Sequence, residues 1–126
     1  MKYLVASIVS ISLMVSLCVL SSWLVIKAVD ETTSLLEEAV AAEKSERKDD
    51  SLRIIREASQ SWNRHQVFFG TVLRHDEIDE VIEEFARLES YATTQDQDDF
   101  LSNCCALVTR LEHIKSMEKP TFENIM

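Results

Sequence analysis

Residues 3–26 read YLVASIVSISLMVSLCVLSSWLVI, and no charged side chain interrupts the run. Coiled into an α-helix it would be about 36 Å long at ~1.5 Å per residue, enough to cross a hydrocarbon core of roughly 30 Å with some tilt. A cleaved signal peptide is the rival reading, but its apolar core spans only about 7–15 residues and is followed closely by a small-x-small site. Here the run is longer and Lys27 follows it without such a site. A lipid-modified terminus would use Cys18, yet Leu17 stands where a small residue is needed and apolar residues continue beyond. A retained transmembrane anchor over residues 1–28, with membrane contact from Tyr3 to Ile26, is therefore expected. Serines within the run are compatible with it, because a helical serine can bond back to a carbonyl of the preceding turn. Trp23 falls near the outer end, where an interfacial indole is ordinary. Lys2 and the terminal amine lie on one side, Lys27 and then an acidic stretch on the other. The positive-inside rule then places the N-terminus in the cytoplasm and the rest of the chain outside, as a single-pass protein.

Beyond the anchor, composition sets the architecture. The 126 residues include one Gly and one Pro, so turn chemistry is scarce and long helices with short connections are expected. The fold class is all-α: an N-terminal transmembrane helix followed by an antiparallel three- to four-helix bundle. Formal net charge is −9, and all 22 acidic side chains follow the apolar run. That balance argues against nucleic acid as a partner, since phosphate binding needs clustered Lys and Arg. Of the three cysteines, Cys18 lies in the apolar run and Cys104 and Cys105 are adjacent. An adjacent pair is too strained for an ordinary disulfide.

Residues 29–48 continue the helical pattern, with Val29, Leu36, Val40 and Glu43 on one stripe, so the anchor helix is expected to run on as a membrane-proximal extension. Asp49, Asp50 and Ser51 form an N-cap cluster for a second helix. Its stripe is Leu52, Ile55, Ser59, Trp62, Gln66, Phe69 and Leu73. Gly70 beside Phe69 marks a close helix approach or a fraying end. A third helix begins near His75 or Asp76, with Ile78, Val81, Ile82, Phe85, Leu88 and Ala92 on its apolar face. After the polar run from Thr93 to Asp99, a fourth carries Phe100, Cys104, Leu107, Leu111 and Ile114, widened by Leu101 and Val108. Pro120 should end it, leaving an apolar tail at 120–126. The bundle proper is thus 49–119.

Chemistry-bearing patterns are few. A single glycine excludes a phosphate-cradling loop, a dinucleotide fingerprint and a nucleophile elbow. No Cys-x-x-Cys pair occurs, and Trp62, Val72 and Arg110 stand three residues before His65, His75 and His113, so the Glu-x-x-His pattern of di-iron bundles is missing. All three histidines should fall near one end of the bundle, but only His75 lies on an apolar face, where it is expected to fasten the turn between the second and third helices. Asp76, Glu77, Asp79 and Glu80 fill first turns, where negative charge favours the positive helix end. The second helix carries Arg53, Arg56, Arg64 and Arg74, so some of this acid is expected to face a basic neighbour across the hairpin. Asp76, Asp79 and Glu83 could instead form a partner-docking surface. Phe122 and Ile125 could fold back on the bundle or enter a partner's groove. Cys104 reads as a small core residue and Cys105 as a stripe-edge thiol.

The opening MKYLV, the Trp-bearing QSWNRH, the HDEID helix start followed by EEFARLESY, and the terminal ENIM together resemble a small bacterial family, domain of unknown function 4363. The resemblance covers most of the chain. It implies a bacterial cell-membrane protein with no assigned activity, encoded beside a multi-pass membrane protein. Trp62, His75, Asp76, Asp79, Asn124 and Ile125 match its motif positions, and the resemblance implies a catalytic role for none of them.

These readings converge on a non-enzymatic accessory or interaction protein without a cofactor, whose partner is a multi-pass membrane protein or a second copy of the chain. An extracytoplasmic ligand sensor signalling through a partner and a metal-dependent enzyme are the alternatives.

Overall fold

The computed structural model describes residues 1–65, 69, 75–94 and 96–125, with side chains described through residue 118. Four helices account for it: α1 (Lys2–Lys44), α2 (Lys48–Arg64), α3 (His75–Thr94) and α4 (Gln97–Ile125). The anchor run and its extension are one helix, as the unbroken periodicity predicts. Each helix packs on its chain neighbour, and α4 closes the ring against α1. Ser22 meets Glu118 and Asp30 meets Lys115, so α4 runs antiparallel to α1; α3 ends at Thr94 and α4 begins at Gln97, which folds α4 back along α3 with Glu80 against Arg110 and gives an up-down-up-down bundle.

The bundle core follows the stripes. Val25, Val29, Leu36, Ile55, Trp62, Val81, Leu88, Phe100, Leu107 and Leu111 are all 0% exposed. The faces of α3 and α4 are those read from the sequence, with Ile82, Leu101 and Val108 at the edges. On α2 the buried line is Ser51, Ile54, Ile55, Ala58 and Trp62, so Leu52 and Ser59 move to the flank. The readings for Gln66, Gly70, Leu73 and Arg74 lie outside the described residues.

The α1–α2 turn is made without glycine. The Arg47 N–H donates to the Ala42 carbonyl at 2.9 Å and the Glu46 N–H to the Glu43 carbonyl at 3.1 Å, the two bonds of a Schellman motif. Glu46 occupies its left-handed position at φ 62°, where a side chain costs roughly 1–2 kcal/mol relative to ordinary backbone. The cap expected from Asp49, Asp50 and Ser51 is not used: α2 begins at Lys48, which places Asp49 and Asp50 inside the first turn. There their charge still meets the positive helix end. At the α3–α4 turn, Asp96 caps α4 by accepting the Asp99 N–H at 3.3 Å.

Pro120 does not stop α4, which continues to Ile125. Proline removes only the bond its own N–H would make to the Ser116 carbonyl and crowds that carbonyl. A helix already held by a neighbour can continue past that local defect. The neighbour here is α1, whose Ser22 hydroxyl donates to Glu118 Oε2 at 2.9 Å.

Candidate interaction site

α1 presents two different surfaces. Residues 2–18 are exposed all round, including Leu4, Ile8, Ile11, Leu13 and Leu17. From Ser22 onward one stripe is buried by α2 and α4. The exposed part is long and apolar enough to cross a membrane, and none of that window is buried inside the molecule. Just beyond it, Lys115 Nζ meets Asp30 Oδ1 at 2.6 Å, and this bond holds the lysine above its ordinary pKa against a smaller opposing effect of desolvation. Lys27 lies 5.2 Å from the Trp23 ring centroid, within reach of a cation–π contact.

At the far end of the bundle, Glu43 is 1% exposed. Its carboxylate accepts from Ser51 Oγ at 2.7 Å and from Lys48 Nζ at 3.4 Å. Ser51 is also bonded to the Lys48 carbonyl, at 2.9 Å. Glu43 therefore staples the last turn of α1 to the first turn of α2, doing for this turn what glycine and a side-chain cap do elsewhere. The sequence puts Glu43 on the core stripe but gives no sign of its partners, because Ser51 comes to it only when the hairpin closes. Across the core, burial first and the nearby Glu43 charge second push the Cys104 thiol up to about 12. Cys104 is thus a protonated apolar filler at neutral pH, while Cys105 is exposed. The Thr32 and Thr33 hydroxyls and the Trp62 indole N–H are buried with no hydrogen-bond partner among the described residues. By the register that opposes Glu43 to Ser51, Thr32 and Trp62 stand level in the α1–α2 pair.

The residues singled out from the sequence do not form one cluster. Trp62 is fully buried and stacks on Phe69 with ring centroids 4.4 Å apart. His75, expected to point into the core, is exposed. Helical phase gives the direction of a side chain but not its height, and His75 stands at the first position of α3, one turn before the buried Ile78. Asp76, Asp79 and Glu83 are also exposed, so these acids present a solvated surface on α3. Glu80 pairs with Arg110 of α4 rather than with Arg53, Arg56 or Arg64 of α2, and Arg74 lies outside the described residues. Arg53 instead pairs with Asp50 and Glu57 on its own helix. The side chains of Phe122, Asn124 and Ile125 lie outside the described residues.

Among the described residues no group of three or more His, Cys, Asp or Glu side chains is placed to hold a metal ion. His65 packs beside Phe69 at 5.7 Å between ring centroids, and His113 faces solvent. Among the described residues, open grooves line the surface of the bundle, one of about 330 Å³ on α2 beside Leu52 and Arg56. Another, of about 630 Å³, lies between α1 and α2 just above the apolar half and is lined by Asp30, Glu31, Ser34, Leu35, Glu57, Gln60, Ser61 and Arg64. A further groove, of about 360 Å³, lies between α1 and α4 and includes Val40, Leu101, Cys105 and Val108.

Neither a curated protein nor a solved structure matches the chain. A family model described as Domain of unknown function (DUF4363) matches residues 20–125, which take in the buried half of α1 and all of α2, α3 and α4, and the chain belongs to that family.

Proposed function

We propose that the chain is a non-catalytic accessory protein of a bacterial cell membrane, anchored by the first half of α1 and carrying its acidic bundle outside the cell. In this reading the bundle associates with another membrane protein. The observation that carries it is the continuity of α1: the exposed apolar half passes into the buried stripe within one helix (Lys2–Lys44). A bundle joined to its anchor by an unbroken helix is held close to the bilayer in a fixed orientation, where its lateral faces meet neighbouring membrane proteins. Asp76, Asp79 and Glu83 are exposed along one face of α3, with Arg87 paired to Glu83 at 3.8 Å, and the net negative charge of this face suits it to steering a basic loop of a partner.

Crosslinking and pull-down from native membranes, with α1 intact, tests the reading. One specific membrane protein should co-purify. Its recovery should fall when Asp76, Asp79 and Glu83 are reversed to lysine or when residues 120–126 are removed. Recovery of the same partner with both variants would move the docking face elsewhere, and recovery of none would remove the interaction reading.

The groove of about 630 Å³ beside Asp30, Glu57 and Arg64 supports a second reading, an extracytoplasmic ligand sensor that signals through its partner. Small amines and amino acids fit its mixed charges. A melting shift of the full chain in detergent with one of them, lost in Arg64→Ala and Glu57→Ala, would favour it over docking alone.

A further inference from the structure

The level at which the bundle meets the bilayer can be read from α1 and α4 together. Ser22 is the first buried residue of α1, and its hydroxyl is bonded to Glu118. A carboxylate is costly in hydrocarbon, so the hydrocarbon must end at or before the level of Ser22. From Ser22 back to Tyr3 the helix rises about 29 Å at ~1.5 Å per residue, which matches a hydrocarbon core of roughly 30 Å. Lys2 then sits at the opposite boundary. This moves the outer edge of the span inward from Ile26. Val25, Ala28 and Val29 are buried because α2 and α4 cover them.

α4 does not end at this level. It is antiparallel to α1 and continues from Glu118 to Ile125, a further ~10 Å of helix rise in the direction of the anchor. The sequence over this stretch, KPTFENI, has Phe122 and Ile125 three positions apart, on one helical face.

We infer that the C-terminal turns of α4, from Glu118 to Ile125, enter the headgroup and upper acyl region of the bilayer beside α1 and give the bundle a second lipid contact next to the anchor. The inference rests on the membrane-anchor reading. The charge of Glu123 limits the depth to the interface, the depth at which amphipathic helices carry polar groups beside apolar ones. The bundle is then fastened to the membrane at two points.

Depth-dependent quenching tests this in the full chain, reconstituted in vesicles of phosphatidylcholine and phosphatidylglycerol. In a background carrying Cys18→Ser, Cys104→Ala and Cys105→Ser, a fluorophore is attached separately at Leu13→Cys, Glu112→Cys, Thr121→Cys and Phe122→Cys. The Leu13 probe should lose fluorescence to a quencher deep in the acyl chains and the Glu112 probe to aqueous iodide. The Thr121 and Phe122 probes should lose it to a quencher near the headgroups and resist iodide. Two sites guard against a local disturbance at Phe122. Quenching of both by iodide, as at Glu112, would overturn the inference and leave the anchor intact. Shielding of both from lipid and iodide would also overturn it, showing that protein covers the tail. Iodide quenching at Leu13 would instead remove the anchor reading itself.

Discussion

The two halves of α1 use similar apolar residues in one continuous helix yet meet different surroundings. Leu13 is 61% exposed and Leu36 is 0% exposed, although both stand on regular helical backbone. Around Leu13 the apolar residues occupy every face, so no choice of orientation could hide them within a small bundle. Around Leu36 they form a stripe with Glu37 and Glu38 outside it, and a stripe can be covered by two neighbouring helices. The contrast shows how one helix can carry two surfaces: apolar all round over one half, a single apolar line over the other.

The sharpest test of that contrast is the same substitution at both leucines. Leu36→Ala should destabilise the bundle by about 2–5 kcal/mol, whereas Leu13→Ala should leave its unfolding midpoint unchanged. Denaturant titration of the full chain in detergent micelles, followed by circular dichroism, measures both. Equal effects would mean that the exposed half is packed against protein after all.

The buried carboxylate at the far end of the same helix comes next. Ser51→Ala should cost about 1–3 kcal/mol, because it strips a buried acceptor of its closest donor. Glu43→Met should be nearly neutral or stabilising, since an apolar residue of similar volume ends the desolvation of the charge. A large loss from Glu43→Met would show that the carboxylate contributes more than the staple described. Smaller still is Glu46→Gly, which relieves the left-handed position and should raise stability by up to about 1 kcal/mol.

Cys104 and Cys105 report the inner and outer sides of the core half. At neutral pH an impermeant maleimide should modify Cys105 and leave Cys104 unreacted until the bundle unfolds. The sign of the pH effect follows from the raised thiol. Above the ordinary thiol value of 9.0 the unfolded chain loses the Cys104 proton while the folded chain keeps it up to about 12. Stability should therefore be complete below that window and fall as pH rises through it, with a shallower fall in Cys104→Ala.

Much of this was legible because it is local. Ile78, Val81, Phe85 and Leu88, and Phe100, Cys104, Leu107 and Leu111, repeat at three- and four-residue spacings that only one helical face can satisfy. Height along the axis was less legible. His75 has the phase of a core residue and Pro120 the chemistry of a stop. The first is exposed because it heads its helix, and the second is passed because α4 is held against α1. Glu43 was visible as a stripe residue, but its partners came from a turn that closes in three dimensions.

The sequence by itself determined the helical class, the uncharged length that can cross a membrane, and the apolar face of each helix. These depend on composition and on spacing within one segment. Only the tertiary structure decided that Ser51 reaches Glu43, that Glu80 takes Arg110 as its partner, and that Ser22 meets Glu118. Those pairings depend on the relative height of antiparallel helices, which no single helix encodes. Packing sets that height through the turns that join them and the side chains that interlock between them.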